Sequence, residues 1–586
     1  MNARRPIYTE PAECQDCYRC VRGCPVKAIR VRDGHASVEP ETCIYCGNCV
    51  GVCPARAKKV RQDLPRARQL LSLRESVYVS LAPSFVSEFS EYTPGQLTSA
   101  LEALGFAGVS ETALGAELVS REVNGWFAEG GSGVRISTAC PVVVDLITKY
   151  HPELQRALGE TPSPLIAHAD YLRRLYGEDI GVVFIGPCIA KKCESDAAEN
   201  LLEVAITFED LRRWFEQSGI SPARFPEKRE ARFLPWGSGV CRAYPVDGGM
   251  ISSLSLSGEE RFGRCVHLSG MGIVREALQD LEIDGPGEKI FLELLACEGG
   301  CVNGPGTTRR GSLLARRSGV LTFAREGVSE KAAGESGAGG SDYPKANGAA
   351  PLPKRWRPAP VTLPEAAEGE IREALRKVGK RSREDELNCG GCGYDTCRTF
   401  ARALVAGRAE PAMCVAYMRR LAQKKNSALL KTMPSAAVTV DAGMRIVESN
   451  RNFARLCGPD AEAAYDALPG LEGAQLERFL PLEDLFRAVL HSGADILDKT
   501  VRVKGAIINA SVFSIEDHHL VGAILQDVTA PAMRKQQIVE KSKEVIDKNL
   551  KTVQQIAYLL GENASETELI LNSIVRSFSP EESAGE

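Results

Sequence analysis

The chain has 586 residues, of which 44% are hydrophobic and 25% are charged, and its formal net charge is -4. This composition excludes a disordered or fibrous chain, and the near-balanced charge gives no indication of binding to nucleic acid or to a membrane surface. The 20 cysteines are clustered, which predicts metal ligands in a reducing compartment rather than disulfides. Because no apolar signal segment precedes the first cysteine and no apolar run is long enough to span a bilayer, we expect a cytoplasmic protein.

Residues 1–62 contain two copies of the pattern C-x2-C-x2-C-x3-C-P. In this pattern three closely spaced thiolates bind one 4Fe–4S cluster, and the fourth cysteine binds the other cluster. The segment resembles a bacterial two-cluster ferredoxin over its whole length, which implies electron transfer. Two zinc sites are the alternative, but zinc does not need such interleaving. The predicted ligands are Cys14, Cys17, Cys20 and Cys53 for the first cluster, and Cys43, Cys46, Cys49 and Cys24 for the second.

Residues 75–325 alternate apolar, strand-like runs with helical patterns, which predicts an α/β domain with buried parallel strands. The runs are SVYVSLAP (76–83), GVVFIGPC (181–188) and KIFLELLAC (289–297). Three separated motifs, STACP, GPCIAKKCE and ACEGGCVNGPG, contribute the four cysteines Cys140, Cys188, Cys297 and Cys301. Cysteines from distant loops can form a buried cluster site, and the neighbouring glycines let the backbone come close to it.

These motifs, together with GAEL (115–118) and LSGMGIVREAL (268–278), resemble the catalytic domain of iron-only (FeFe) hydrogenases. The resemblance implies an H-cluster, in which a two-iron subsite with CO, cyanide and azadithiolate binds and splits hydrogen. It implies that Lys191 donates a hydrogen bond to a cyanide and that Glu194 holds Lys191 or the adjacent loop. The implied ligands of the 4Fe–4S cube are Cys140, Cys188, Cys297 and Cys301, with Cys301 bridging to the subsite.

The same motifs depart from the family pattern in ways that predict slow catalysis. Catalytic members have a proton-relaying cysteine directly before the first ligand, where this chain has Ala139, whose methyl group cannot exchange a proton. Two methionines of the family are replaced by Gly186 and Leu295. The final GGG is Gly304-Pro305-Gly306, and the acidic positions of the usual proton path are Val123 and Trp126. We interpret Cys193 and Cys241 as buried structural thiols, with another proton route as the alternative.

Residues 326–362 are rich in Gly, Ala, Pro and Ser, which predicts a flexible linker. Residues 363–430 are predicted to form helices around the pattern C-x2-C-x4-C-x16-C. The pattern resembles the small iron–sulfur module of corrinoid proteins and of some hydrogenase-like sensors, so we expect a third 4Fe–4S cluster, with a zinc site as the alternative. The predicted ligands are Cys389, Cys392, Cys397 and Cys414.

Residues 431–530 resemble a PAS domain, an α+β module. MPSAAVTVDAGMRIVESNRNFARLCG predicts two strands and a helix opened by Asn450, and AIINASVFSI and HLVGAILQDVT predict the closing hairpin. PAS domains bind haem, flavin or nothing; His491 and Cys457 are the only candidate ligands, and each is more simply a surface or core residue. The tail has no phosphoacceptor histidine and no kinase domain follows it, so we do not expect a histidine kinase.

Residues 531–580 are predicted to be helical and to dimerise the chain. Their apolar residues recur at spacings of four and three, which is typical of a coiled-coil seam; an amphipathic helix packed on its own domain is the alternative. The seam consists of Ile546, Leu550, Val553, Ala557 and Leu560.

The order of these modules resembles that of the sensory FeFe hydrogenases, most closely group C. We therefore expect a homodimeric sensor that binds H2, exchanges protons, and relays hydrogen or redox status to its PAS domain with low hydrogenase activity. Its expected partners are an electron carrier such as ferredoxin, the hydrogenase maturation machinery, and a downstream phosphatase or kinase. The alternatives are a bidirectional, ferredoxin-linked hydrogenase and a non-catalytic iron–sulfur scaffold. Ala139 disfavours the first alternative, and Lys191 disfavours the second.

Overall fold

The structure is a computed structural model that divides into two compact units, Met1–Met413 and Cys414–Glu586. It describes residues 5–552 except for 130, 199, 228–232, 236–238, 262, 285–286, 337–352, 363, 504, 530–540 and 542. Among the described helices, none combines the length and the apolar character that crossing a membrane requires.

The first 62 residues form two small antiparallel sheets, β1 with β4 and β2 with β3. In β2, Ile29 and Val31 are buried while Arg30 and Arg32 are exposed, as expected for a strand with one apolar face. Because Ile7 pairs with Val60, the two ends of this ferredoxin-like module lie side by side. The elements are β1 (Ile7–Thr9), α1 (Arg19–Gly23), β2 (Ile29–Arg32), β3 (His35–Val38), α2 (Asn48–Gly51) and β4 (Lys58–Val60).

A four-stranded sheet of order β6-β5-β8-β9 forms the first half of the next region. All its strands are parallel, so the predicted parallel strands within 76–83 and 181–188 are confirmed. The elements are α3 (Leu64–Leu73), β5 (Val77–Leu81), α4 (Phe85–Glu88), α5 (Pro94–Ala103), β6 (Gly108–Glu111), α6 (Ala113–Ala128), β7 (Gly133–Ile136), α7 (Pro141–Tyr150), α8 (Pro164–Tyr176), β8 (Gly181–Gly186), α9 (Lys191–Ala197), β9 (Val204–Thr207) and α10 (Phe208–Ser218).

A second parallel sheet, of order β10-β11-β7, completes the α/β region. Cysteine-bearing loops follow β7, β8 and β11, and the carboxyl ends of parallel strands are where open α/β sheets place their ligand sites. The remaining elements are α11 (Gly249–Ser252), α12 (Gly258–Arg261), β10 (Cys265–Ser269), α13 (Met271–Gln279), β11 (Lys289–Leu295) and α14 (Leu313–Ser336).

The structure differs from the predicted linker, 326–362, at its start. Helix α14 continues to Ser336. Its residue Gly327 fits closely against Arg242, because a Cβ at Gly327 would lie 2.4 Å from Arg242 Nη1. Arg242 is itself fixed by Glu111, which accepts hydrogen bonds of 2.9 Å from Nε and Nη2 of the guanidinium. This buried ion pair gives the helix a rigid surface on which to continue.

The end of the predicted linker is also packed. Trp356 Nε1–H donates to the carbonyl of Gly159 (2.8 Å), and the backbone N–H of Ala359 donates to the carbonyl of Thr148 (3.0 Å). Composition alone could not predict this, because the contacts join residues far apart in sequence. Two helices follow in the first unit, α15 (Glu368–Lys377) and α16 (Cys397–Val405).

The second unit is built on a five-stranded antiparallel sheet of order β13-β12-β16-β15-β14. The side chain of Asn450 accepts from the backbone N–H of Phe453 and so caps the helix that it was predicted to open. The elements are α17 (Val415–Thr432), β12 (Ala436–Asp441), β13 (Ile446–Ser449), α18 (Arg451–Cys457), α19 (Pro459–Ala467), α20 (Glu483–Ser492), β14 (Ile496–Val503), β15 (Ala506–Glu516) and β16 (Leu520–Asp527).

The predicted coiled-coil seam lies mostly outside the described residues. Ile546 and Leu550 lie in a helical stretch, whereas Val553, Ala557 and Leu560 belong to the part of the chain that is not described. The coiled coil stays a prediction.

Candidate metal centres

Four cysteines from three distant loops converge on one cavity. Cys140 follows β7, Cys188 follows β8, and Cys297 and Cys301 follow β11. All four side chains line the same cavity, together with Lys191. The backbone at Gly300 has a φ of 101°, and a Cβ there would lie 2.3 Å from the carbonyl oxygen of Pro245, so this loop requires glycine.

The cavity strongly disfavours free thiolates. Burial raises the pKa of the Cys140 and Cys297 thiols, and burial raises the pKa of Cys188 to about 11. Burial is the largest effect that raises the pKa of Cys301. Negative charge on the neighbouring Cys140 and Cys188 raises it further. Thiols in such a place release their protons when a metal takes up the charge. The donor set therefore fits a cluster rather than reactive free cysteines.

Lys191 places a cation at the wall of this cavity. Lys191 is buried at the start of α9 and forms an ion pair with Glu194, three residues later. Glu194 also accepts a hydrogen bond of 3.1 Å from Ser163 Oγ. The two residues that sequence analysis singled out are thus in contact, at the cavity that the four cysteines line.

A second, mostly apolar cavity adjoins the first and shares Ala139, Lys191 and Cys301 with it. Phe184 lines this second cavity, and a Cβ on Gly186 would lie 2.3 Å from its ring. The phenylalanine ring therefore fills space that a side chain at position 186 would otherwise take. Leu295 lines both cavities, whereas Val123 and Trp126 line neither.

The ferredoxin-like module brings its cysteines together in two interleaved groups. The charges of Cys14, Cys17 and Cys53 all act on Cys20. In the same way, the charges of Cys43, Cys46 and Cys24 act on Cys49. Burial raises the pKa of Cys49 well above its usual value. These are the two sets predicted from the spacing. Asp16 and His35, which sequence analysis missed, lie beside Cys14, with Asp16 Oδ1 3.7 Å from both Cys14 Sγ and His35 Nδ1.

The second ferredoxin group adjoins the four-cysteine cavity. Cys46 lines that cavity and lies within electrostatic range of Cys140 and Cys297. Gly47, the next residue, touches Pro305, because a Cβ on Gly47 would lie 2.5 Å from Pro305 Cβ. The proline that interrupts the family's GGG pattern therefore lies at this junction.

The third cysteine group lies where the two units meet in sequence. Cys389, Cys392 and Cys397 belong to the first unit, and the backbone N–H of Cys397 donates to Asn388 Oδ1 (2.8 Å). Cys414 is the first residue of the second unit and the residue directly before α17.

The other candidate residues do not converge on a site. Cys241 is buried in an apolar cluster, and Cys193 lies near Asp145 without lining either cavity. His491 is exposed at the end of α20, and Cys457 packs against the core of the second unit. The structural interpretation of these residues therefore needs no ligand.

Three family models match the chain. The model "Iron only hydrogenase large subunit, C-terminal domain" matches residues 75–305, and "4Fe-4S dicluster domain" matches residues 6–54. Residues 75–305 are thus similar to the C-terminal domain of the iron-only hydrogenase large subunit. A third model, of an Fe-S cluster module, matches residues 385–416. The chain is therefore an iron–sulfur protein with 4Fe–4S cluster domains and an H-cluster domain.

Part of the chain is similar to curated relatives and to solved structures at low identity. The chain is 23% identical over 289 residues to "Iron hydrogenase 1" of Clostridium pasteurianum, covering 41% of this chain and 50% of the relative. It is 23% identical over 282 residues to "Periplasmic [Fe] hydrogenase large subunit" of Nitratidesulfovibrio vulgaris, covering 39% and 66%. The matched part thus spans about half to two thirds of these relatives. A solved variant of [FeFe]-hydrogenase HydA1 from Chlamydomonas reinhardtii gives a TM-score of 0.38 at 20% identity, covering 51% of this chain and 100% of that one.

Proposed function

We propose that the chain is a sensory hydrogenase that binds H2 at its H-cluster and relays hydrogen or redox status through iron–sulfur clusters to a signalling module. The observation that carries the proposal is Ala139, which lines the cavity beside an intact set of four cysteines and Lys191. When bound, the H-cluster supplies hydrogen binding and heterolytic cleavage. The chain's own residues would hold it, but Ala139 offers no proton-exchanging group, so proton release would be slow and the hydrogen-bound state would persist.

The proposed electron path runs through the ferredoxin-like module. Cys46 lines the four-cysteine cavity, so the second ferredoxin cluster would lie next to the H-cluster. The third module packs on the same ferredoxin-like module, where a Cβ at Gly393 would lie 3.0 Å from the backbone nitrogen of Arg22. Gly393 directly follows Cys392, a predicted ligand of the third cluster. Electrons would thus pass from the H-cluster through the ferredoxin clusters to the third cluster.

The proposed signalling module is the second unit, interpreted as a PAS domain. Two features support this interpretation. In the sheet, β13 and β12 lie beside β16, β15 and β14, and a capped helix follows Asn450. Cys414 directly precedes α17, and α17 ends shortly before β12. A change at the third cluster would therefore act on a helix that leads directly into this sheet.

The proposed setting and partners follow from the chemistry. Sixteen of the 20 cysteines are predicted cluster ligands, which favours a reducing compartment such as the cytoplasm. Assembly of the H-cluster would need hydrogenase maturation proteins, and the ferredoxin-like module would exchange electrons with a carrier such as ferredoxin. A homodimer and a downstream phosphatase or kinase complete the proposal.

A bidirectional hydrogenase is the second candidate. It is favoured by the ferredoxin-like module, which gives electrons a route between the cavity and an external carrier. The non-catalytic scaffold is less well supported, because it gives no role to the Lys191–Glu194 pair at the cavity.

Infrared spectroscopy of the matured full chain tests the proposal. Wild-type protein should show the bands of bound CO and cyanide, and these should change on exposure to H2 and return slowly. Cys301→Ser should lose the bands, while Cys193→Ser, which changes a thiol outside both cavities, should keep them. If the wild-type chain showed only 4Fe–4S signals, the scaffold would replace the proposed sensor.

A further inference from the structure

Tyr244 lines the cavity that Ala139 leaves without a proton relay, and its hydroxyl contacts helix α6. Both residues line the second cavity, together with Lys191 and Cys301. Tyr244 Oη lies 2.7 Å from Ser120 Oγ and 3.1 Å from the carbonyl oxygen of Ala116. Burial holds the pKa of Tyr244 well above its usual value, so its hydroxyl stays neutral. Tyr244 therefore connects the lining of this cavity to helix α6 through its hydroxyl.

The hydroxyl contacts continue from Tyr244 toward the surface. Ser120 is buried on α6, and its Oγ lies 2.6 Å from Ser253 Oγ. Ser253, which follows α11, is only half-buried. Tyr244, Ser120 and Ser253 thus form an unbroken chain of hydroxyls from the cavity to a partly exposed position.

Both ends of the chain have a second acceptor, which allows the hydroxyls to reorient. Tyr244 can donate either to the carbonyl of Ala116 or to Ser120. Ser253 donates to the carbonyl of Met250 (2.6 Å) and can instead donate outward when it receives a proton from Ser120. The buried carboxylate of Glu293 accepts from the backbone N–H of Ile251 (3.0 Å) and so fixes α11, which ends next to Ser253.

We propose that Tyr244, Ser120 and Ser253 form a slow proton path out of the cavity whose wall at Ala139 lacks the usual thiol relay. The inference rests on the proposed function, since it needs an H-cluster that releases protons. A proton leaving the cavity binds Tyr244 Oη while the phenolic proton moves to Ser120 Oγ. The serine proton then moves to Ser253 Oγ, and the Ser253 proton passes to water. Each O–H bond broken is replaced by one formed, so no charge remains on the path and no co-reactant is needed.

Three variants of the matured full chain test the path. Tyr244→Phe and Ser120→Ala each remove one hydroxyl of the chain. Ser252→Ala is the matched control, because Ser252 also donates to a carbonyl three residues earlier, that of Gly249 (2.7 Å), but lies outside the path. The readouts are turnover in both directions and the rate at which the CO and cyanide infrared bands redistribute after argon is replaced by H2.

The path requires both Tyr244→Phe and Ser120→Ala to slow turnover and band redistribution about 10-fold or more, with band positions unchanged, while Ser252→Ala stays within about twofold of wild type. Wild-type kinetics in either path variant would overturn the path. If Tyr244→Phe lost iron, Ser120→Ala would decide, since Ser120 does not line either cavity. Wild-type protein without CO and cyanide bands would overturn the proposed function together with the path, whereas normal bands with unaffected variants would overturn the path alone.

Discussion

Arg408 and Glu39 join the third cysteine module to the ferredoxin-like module. Arg408 Nη2 lies 2.6 Å from Glu39 Oε2, and the same nitrogen donates to the backbone carbonyl of Lys27 (2.8 Å). The backbones of the two modules are also in contact, since the N–H of Val31 donates to the carbonyl of Arg408 (2.9 Å). Only 8% of the Arg408 side chain and 15% of the Glu39 side chain are exposed. The pair is thus a buried fixing point between two cluster modules.

Replacing Arg408 by glutamine should loosen the third module. Glu39 would keep the half-exposed Arg30 (2.7 Å) but lose its buried partner, and the carbonyl of Lys27 would lose a donor, which should cost about 1–3 kcal/mol. We expect residues 363–413 to become more sensitive to limited proteolysis, and electron exchange between the third cluster and the reduced ferredoxin clusters to slow in freeze-quench EPR. Arg398→Gln is the control, because Arg398 pairs with Glu368 on the exposed surface of the same module. If the protease cleaved residues 363–413 equally slowly in both variants, Arg408 would not hold the third module on the ferredoxin-like module.

The local features of the fold could be predicted from the sequence. The apolar runs became parallel strands because their residues are buried on both faces, and Asn450 caps a helix because its side chain satisfies a free backbone N–H. The interleaved cysteine groups follow from short-range spacing. In each case the information lies within a few residues of the feature.

The features that sequence analysis missed depend on long-range contacts. Tyr244 lies in no motif, and it reaches the cavity because the loop before α11 packs against α6. Trp356 lies in a Pro- and Ala-rich segment but is fixed by the carbonyl of Gly159. Phe184 belongs to a strand predicted only as core, yet its ring takes the space beside Gly186. Neither periodicity nor composition encodes such pairings.

Glu293 should make stability fall as pH rises toward neutrality. Burial raises its pKa to about 7 from an ordinary value of 4.5, and its Oε1 has no hydrogen-bond partner among the described residues. Between these two values the folded chain keeps the proton that the unfolded chain releases. The stabilisation is thus complete below pH 4.5 and is lost as pH rises through about 7.

Glu293→Gln should remove this dependence, because the amide stays neutral and its oxygen can still accept from the backbone N–H of Ile251. The Tm of the variant should rise relative to wild type by about 2 °C between pH 6 and pH 8. Differential scanning calorimetry on the cluster-loaded chain measures this difference. Glu282→Gln, at an exposed glutamate, is the control. Parallel Tm curves for wild type and Glu293→Gln would contradict the prediction.

The C-terminal seam should hold two chains together. The apolar side chains from Ile546 to Leu560 bury one another only when a second helix covers them. A chain ending at residue 530 should therefore sediment as a monomer, whereas the full chain should sediment as a dimer. Leu550→Asp, which places a charge in the seam, should weaken the dimer at micromolar concentration, and Lys551→Asp is the exposed control. A truncated chain that stays dimeric would assign dimerisation to another surface.

Ala139→Cys should raise hydrogen turnover. Ala139 lines both cavities beside Cys301 and Lys191, so a thiol there would reach the space that the two-iron subsite is proposed to occupy. General acid–base groups typically contribute about 10² to 10⁴-fold, and a thiol with an ordinary pKa of about 8.5 exchanges protons near neutral pH. We expect at least a 10-fold gain in H2 oxidation and evolution for the matured variant.

Ala139→Ser is the matched control, because a hydroxyl has nearly the same size but is a much weaker acid than a thiol. It should gain far less than the cysteine variant when both are assayed across pH. Val123 and Trp126 stand where the family pattern has acidic residues; Val123 is buried in an apolar cluster and Trp126 packs against it. Any gain from Ala139→Cys should therefore depend on Tyr244 and Ser120, and should disappear when Tyr244→Phe is added. If wild-type protein already turned over as fast as relay-equipped hydrogenases, slow proton exchange could not support a sensor, and the bidirectional enzyme would be the better assignment.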